Sequence, residues 1–182
     1  MPNSAVIITG PGFQDHDVVY TYYRLLEEGW NADVATKNAD GVVGKYGVPL
    51  PMDRTAKPLI SFDQLDVERY DAVILTGGHE APDRVRQDAR VLDFIRAMDE
   101  RRKVIAGLCH GPWIMVSAGV LKDRRACAYI GLRDDVSNAG FVPVGLSPEY
   151  HPHRVIAPSS EGTGDGGRAA QAGAKAAAGR PQ

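Results

Sequence analysis

The chain alternates short apolar runs with longer segments whose apolar residues recur at helical spacing. The apolar runs are each followed by a glycine, a proline or a charged residue, which is typical of buried strands that end in loops. The segments between them predict helices, and Gly29 and Gly119 provide helix ends. The predicted strands span 5–9, 32–36, 71–76, 103–108, 126–130 and 141–144, the predicted helices span 15–28, 88–102, 112–118 and 133–138, and a hairpin spans 42–50.

This order of strands and helices predicts one α/β domain with a doubly wound, mostly parallel sheet and helices on both faces. In such sheets ligands bind beyond the carboxyl ends of the strands. Three conspicuous loops end up there: residues 10–17, residues 77–83 and the turn at Cys109. We expect the functional site at this edge.

The composition changes towards the C-terminus. We predict a domain over residues 1–145 and an atypical tail over 146–182, because residues 162–182 are almost entirely Gly, Ala and Arg with scattered polar residues. Such a segment has too little apolar surface to fold, so we expect disorder, or a frayed helix over 169–178.

Charge and composition limit the classes of binding partner that we expect. The net charge is −2 and 24% of residues are charged, so we expect neither nucleic acid nor anionic membrane as a partner. No apolar run approaches the roughly 20 residues of a membrane span, and we expect no signal peptide, because no basic stretch and no small-residue cleavage site precede the first strand. The two cysteines, Cys109 and Cys127, make no disulfide framework, which favours a reducing cytoplasm.

The segment Gly107-Leu-Cys-His-Gly111 has the pattern of a nucleophile elbow with cysteine as the nucleophile. It lies between a predicted buried strand and a helix whose N-terminus faces the thiol, so we expect a lowered thiol pKa. The backbone N–H of His110 is the expected first oxyanion donor, and those of Gly77 and Gly78 are candidates for the second. Adjacent side chains diverge on an elbow, so the His110 ring need not contact the sulfur. Cys127, within a predicted strand, is read as structural.

A carboxylate is still required, and the loop after the first strand offers two. Asp15 can cap the following helix, whereas Asp17 falls in its first turn, beside the elbow. Asp17 is the candidate catalytic acid. Several ligand-type residues share these loops, namely Asp15, His16, Asp17, His79 and Glu80, but they lack any known metal-site spacing, so we predict no metal and no cofactor.

Several motifs together resemble the ThiJ/PfpI superfamily, which includes the PfpI intracellular proteases, the Parkinsonism-associated deglycase and the isonitrile hydratases. The motifs are Ala-Gly-Leu-Cys-His-Gly-Pro-Trp-Ile, Ser-Ala-Gly-Val-Leu, Asp-Asp-Val-Ser-Asn-Ala-Gly and Gly-Gly-His-Glu-Ala-Pro-Asp-Arg-Val-Arg, within residues 4–145. The resemblance implies a flavodoxin-like fold similar to class I glutamine amidotransferase domains. It also implies Cys109 and His110 at the site, Asp17 as the acid beside the thiol, and Asp83 as an acid that serves a neighbouring subunit. Because that acid acts across a subunit boundary, the resemblance also implies a homodimer or a higher homo-oligomer.

Three departures from that family matter. Gln14 stands where PfpI-like proteins usually have glutamate, and Asp17 is one methylene shorter than glutamate, so a water could bridge it to the sulfur. The family's C-terminal strand and final helix look absent, and the tail resembles a shifted reading frame. Resequencing the gene through this region tests that hypothesis.

The first functional reading is a cysteine-dependent hydrolase or hydratase of small electrophiles, either aldehyde adducts or isonitriles. The alternatives are an intracellular cysteine peptidase or amidase, and a redox sensor that oxidises Cys109. A glutamine amidotransferase is disfavoured because His151-Pro-His153 lacks the needed glutamate. The pocket walls are expected to include Gln14, His79, Trp113, Tyr20 and Tyr129, and the substrate is a small molecule.

Overall fold

The computed structural model describes residues 2–52, 57–126, 128–140, 142–143 and 155–157. The strands are β1 (Ser4–Ile8), β2 (Asn31–Thr36), β3 (Val42–Val43), β4 (Pro49–Leu50), β5 (Ile60–Ser61), β6 (Ala72–Leu75), β7 (Val104–Gly107), β8 (Arg125–Ala126), β9 (Val142–Pro143) and β10 (Val155–Ala157). The helices are α1 (Asp15–Glu27), α2 (Glu80–Val85), α3 (Ala89–Glu100), α4 (Pro112–Ala118) and α5 (Arg133–Asn138).

A six-stranded sheet organises the molecule, in the order β10-β7-β6-β1-β2-β5. All neighbours pair in parallel except β10, which runs antiparallel to β7. The predicted hairpin forms as the antiparallel pair β3 and β4, which stands apart from this sheet. The carboxyl ends of β1, β6 and β7 therefore meet at one edge, and the loops that follow them meet there too.

Both faces of the sheet are covered, as the doubly wound prediction requires. Along β1, Ala5 and Ile7 pack in the cluster that contains Val18 and Tyr22 of α1. The alternate residues Val6 and Ile8 pack in a second cluster with the side chains of α3 and α4. These four of the five β1 residues are fully buried, which explains why the strand is apolar from Ala5 onwards instead of alternating.

The predicted elements agree with the structure to within about two residues, with two exceptions. The strand predicted over 126–130 is wrong beyond Ala126, because Ile130–Leu132 form a single 3-10 turn. The loop predicted over 77–83 contains the start of α2, a short helix with Pro82 in its first turn. Proline is tolerated there because the first N–H groups of a helix have no intrahelical partner, but it masks the helical pattern.

The prediction of a disordered tail with no C-terminal strand is wrong at Val155–Ala157. These three residues pair with Ile105–Gly107 and form an edge of the sheet. A short apolar run suffices here because β7 otherwise presents an unpaired edge. The rest of the predicted tail, and Cys127, lie outside the described residues.

Candidate active site

The structure builds a sharp turn at the carboxyl end of β7. Leu108 donates its N–H to the Leu75 carbonyl at 2.9 Å, which holds the turn against β6. Cys109 then adopts a φ of +52°, a left-handed conformation that side chains other than glycine rarely take. Gly111 permits the close approach that follows, since a Cβ there would lie 2.2 Å from the Leu75 oxygen. The turn is the predicted nucleophile elbow.

Three donors or acceptors surround the Cys109 sulfur. The backbone N–H groups of Gly78 and His110 both hydrogen-bond to it, so this pair of donors stabilises negative charge on the sulfur. The His110 ring also reaches back, with Nδ1 3.2 Å from the sulfur. The expectation that the ring and the sulfur diverge is therefore wrong, since the left-handed Cys109 backbone turns the sulfur towards the following side chain.

Gly77 separates the thiol from the acid. Its N–H donates to Oδ2 of Asp17 at 2.8 Å, so Gly77 is not free to be the predicted oxyanion donor, and Gly78 stays the candidate for that role. A Cβ on Gly77 would lie 2.3 Å from Cys109 Cβ, 2.7 Å from Asp17 Oδ2 and 3.1 Å from the sulfur. The carboxylate and the sulfur thus flank one carbon-sized space that only glycine leaves open.

Burial controls the ionisation of both acids. Burial raises the pKa of Asp17, although the Gly77 hydrogen bond and the charge on His16 oppose the rise. Burial and the negative charge of Asp17 likewise raise the pKa of Cys109, against the two backbone N–H groups and Lys45. The expected lowering of the thiol pKa is therefore wrong in this geometry. Because each acid disfavours the ionisation of the other, protonation of Asp17 removes one obstacle to forming the thiolate.

The His110 ring lies among aromatic rings. Its centroid is 4.9 Å from that of Tyr129, 5.0 Å from that of Trp113 and 6.4 Å from that of His79. Burial lowers its pKa, and the charges of His79 and Lys45 lower it further. A neutral imidazole 3.2 Å from a thiol can accept its proton. Trp113 is fixed in turn by a 2.8 Å hydrogen bond from its indole N–H to Asp135.

Among the other residues predicted for the site, Gln14 has a direct backbone connection to it, whereas Asp83 and Tyr20 have other surroundings. Gln14 contributes its backbone N–H to the Gly77 carbonyl at 3.1 Å, which ties the loop before α1 to the site. Asp83 is exposed on α2 and accepts a hydrogen bond from Gln87 of its own chain. Tyr20 is 70% exposed and lines a shallow groove on α1 with Tyr23 and Arg24, a groove that does not include Cys109, so the structure does not support it as a pocket residue.

Sequence reasoning missed two residues at this site. Asp15 does not cap α1; its carboxylate accepts the backbone N–H groups of Tyr46 and Val48 from the β3–β4 hairpin. That hairpin carries Lys45, whose charge reaches both Cys109 and His110. The sequence did show a second acid, Asp15, two residues before Asp17. Its hydrogen-bond partner Tyr46 lies 31 residues further along the chain, so no local pattern connects the two.

The ligand-type residues of the two loops have other partners. Asp15 binds hairpin backbone, and Glu80 forms an ion pair with Arg84 at 2.8 Å. Within the described part of the chain, no group of three or more His, Cys, Asp or Glu side chains is arranged to hold a metal ion. Among the helices of those same residues, none is long and apolar enough to cross a membrane.

The fold and this site define a flavodoxin-like α/β protein with a cysteine at a nucleophile elbow. Residues 3–145 match the family described as the DJ-1/PfpI family. The chain belongs to that family, as the sequence motifs predicted.

The relatives agree with this assignment. The chain is 41% identical over 128 residues to Deglycase PfpI of Pyrococcus furiosus, covering 70% of this chain and 73% of the relative. It is 38% identical over 135 residues to Deglycase PH1704 of Pyrococcus horikoshii, covering 74% and 77%. The crystal structure of DJ-1beta from Drosophila melanogaster superposes with a TM-score of 0.73 at 22% identity, covering 99% of this chain and 92% of that one. At this low identity, the likeness supports the fold and nothing finer.

Proposed function

We propose that this chain is a cofactor-free, cysteine-dependent deglycase, a hydrolase that removes α-oxoaldehyde adducts from amines or thiols. The observation that carries the proposal is the set of contacts around the Cys109 sulfur. It accepts hydrogen bonds from the backbone N–H groups of Gly78 and His110, and it also contacts the His110 imidazole. The names of the relatives support glycation adducts as substrates, ahead of isonitriles or peptides. A thiol nucleophile must stay reduced, which fits the expected cytoplasm.

The proposed reaction balances as a hydrolysis with an internal redox step. An adduct R–NH–CH(OH)–CO–CH3 and one water give the amine R–NH2 and the hydroxy acid CH3–CH(OH)–COOH. The Cys109 thiolate attacks the carbon that bears nitrogen, the C–N bond breaks, and the amine leaves with a proton. The C–H proton of that carbon then moves to the neighbouring carbonyl carbon and its O–H proton moves to the ketone oxygen, so the first carbon becomes a thioester while the ketone becomes an alcohol. Water cleaves the thioester and restores the thiol.

Each step has a matching group in the site. His110, whose pKa burial lowers so that the neutral imidazole is favoured, takes the thiol proton and returns it to the departing amine. Asp17 lies across the Gly77 gap from the sulfur, and burial raises its pKa, which favours a carboxyl that can hold a proton during turnover. The Gly78 and His110 N–H groups hold the oxyanion of the thioester hydrolysis.

The test uses the carbinolamine that methylglyoxal forms with Nα-acetyllysine, freed of excess aldehyde, with the amine and the hydroxy acid followed by proton NMR. We expect the protein to form both products in equal amounts, and Cys109→Ser to form neither. Cys127→Ser is the matched control and should retain the rate. The proposal fails if hydroxy acid never forms faster than the adduct dissociates spontaneously, because the protein would then consume only free aldehyde.

The other readings stay predictions that the same protein preparation can test. Hydration of an isonitrile or cleavage of a peptide ester at a higher kcat/KM than the adduct would replace the deglycase assignment. A redox sensor predicts oxidation of Cys109 at low peroxide without turnover of the adduct by the reduced protein.

A further inference from the structure

The His110 ring, whose Nδ1 lies 3.2 Å from the Cys109 sulfur, rests against two aromatic side chains. The Trp113 ring centroid lies 5.0 Å away at an interplanar angle of 70°, an edge-to-face contact. The Tyr129 ring lies 4.9 Å away at 32°, which is closer to parallel. Aromatic pairs at these separations prefer definite relative orientations. The two contacts therefore restrict how the imidazole can turn.

The fold holds these two rings to different degrees. Trp113 is half-buried near the start of α4 and packs against the larger hydrophobic cluster, whereas Tyr129 is 42% exposed. The Trp113 backbone N–H also donates to the His110 carbonyl at 3.0 Å. Of the two rings, Trp113 is thus the one that the fold can use to fix the imidazole.

Two other elements fix the Trp113 side chain. Its indole N–H donates at 2.8 Å to Oδ2 of Asp135, which lies in the first turn of α5. The guanidinium carbon of Arg86, at the end of α2, lies 5.6 Å from the Trp113 ring centroid, within cation–π range. Arg86 in turn donates from Nε to Oγ of Ser117, one helical turn after Trp113, at 2.9 Å. A series of contacts therefore connects α2 and α5 through Trp113 to the His110 ring.

The orientation of the imidazole matters because a proton passes between the sulfur and Nδ1 only within hydrogen-bonding reach. Rotation of a histidine ring about its Cβ–Cγ bond is soft. The His110 side chain is only half-buried, so the 3.2 Å separation between Nδ1 and the sulfur depends on what the ring packs against.

We propose that Trp113 is the positioning residue that holds the His110 imidazole against the Cys109 thiol, and that Asp135 acts through Trp113 by fixing its indole. The inference rests on the proposed function only in taking His110 as the group that exchanges a proton with Cys109.

The experiment measures the rate of Cys109 alkylation by iodoacetamide at pH 7, on a Cys127→Ser background so that one thiol reacts. His110→Ala should slow alkylation by about 10-fold, the size of one hydrogen bond to a charged group, since only the thiolate reacts. Trp113→Leu keeps the imidazole but removes the ring beside it, and should cause a loss of about 3- to 10-fold, a part of that effect. In the His110→Ala background, Trp113→Leu should change the rate by less than about 2-fold, because residues that act through one group are not additive.

Variants of α5 test the contact between the indole and Asp135. Asp135→Ala removes the acceptor of the indole N–H and leaves the indole and the imidazole in place, so it should slow alkylation by about 2- to 5-fold. Asp135→Asn keeps an oxygen that can accept the indole N–H and should restore most of the rate. Asp134→Ala is the matched control and should leave the rate unchanged, because Asp134 is also an exposed acid in the first turn of α5 but pairs with Arg133.

The proposal is overturned if Trp113→Leu reacts at the parent rate, or if it slows alkylation equally in the His110→Ala background, since Trp113 would then not act through His110. It also fails if Asp135→Ala keeps the parent rate, or if Asp135→Asn or Asp134→Ala is as slow as Asp135→Ala, because loss of charge would then explain the effect. Asp134 and Asp135 are exposed, so their variants should fold and decide the question even where Trp113→Leu does not. Alkylation needs no substrate, so failure of this inference and failure of the deglycase proposal give different results.

Discussion

Replacing Asp17 with asparagine should change thiol reactivity and turnover in opposite directions. The amide keeps an oxygen that can accept the Gly77 N–H, which the carboxylate accepts at 2.8 Å. It removes the charge that raises the pKa of Cys109, and it removes the only site at which residue 17 can exchange a proton. Thiolate should become easier to form, while proton transfer during turnover should become harder.

The size of the first effect follows from the geometry. The carboxylate oxygen and the sulfur flank the space that a Cβ on Gly77 would fill, at 2.7 Å and 3.1 Å from it. A unit charge at that range contributes about 1–3 kcal/mol in a half-solvated site. Since 1.36 kcal/mol corresponds to about one pKa unit, the thiol pKa should fall by roughly one unit, and alkylation at pH 7 should quicken by about 10-fold. The gain should shrink at acid pH, where Asp17 of the parent is itself protonated.

The second effect is a loss of turnover. General acid–base groups contribute about 10²–10⁴-fold in rate, and Asp17→Asn should lower kcat by that amount. The assay pairs iodoacetamide labelling with adduct turnover on one preparation, and Asp71→Asn, at the opposite end of β6, is the control for a generic loss of negative charge. Slower alkylation would refute the electrostatic reasoning, and undiminished kcat would remove Asp17 from the proton transfers.

The site is equally sensitive to volume, and its assembly is open to test. Gly77→Ala should abolish alkylation and lower the free energy of unfolding by about 1–3 kcal/mol, because the added carbon would lie 2.3 Å from Cys109 Cβ. Gly10→Ala is the control and should change neither quantity, since its Cβ would have its nearest neighbour at 3.5 Å. Similar chemical-denaturation midpoints for the two variants would contradict this explanation. We also expect a homodimer or larger homo-oligomer in sedimentation equilibrium, since Asp83 is exposed and the resemblance to PfpI-like proteins implies that an acid at this position serves a neighbouring subunit. Asp83→Ala should then lower turnover without altering the alkylation rate, and a monomer at micromolar concentration would contradict the expectation.

Much of the fold was readable from the sequence because local patterns encode it. The strands β1 and β6 are buried on both faces, so their sequences are apolar without interruption and are recognisable as buried strands. The Cys109 elbow was found because its glycines, its strand and its helix are neighbours in sequence. Where a local pattern was weak the prediction failed, as at α2, which contains Pro82, and at the three-residue β10.

The sequence by itself determined the parts of the candidate site: a cysteine on a strand-to-helix turn, with a carboxylate in a loop at the same edge of the sheet. Only the tertiary structure decided which backbone donors and which charges act on the ionisation of Cys109 and Asp17. Gly77 serves Asp17 while Gly78 serves the sulfur, although the two glycines are adjacent and chemically identical. Asp15 and Lys45 join the site through a hairpin that is distant in sequence. Burial, which depends on the whole fold, raises the thiol pKa where the local helix N-terminus alone predicted a fall, because desolvation of a charge outweighs two backbone dipoles.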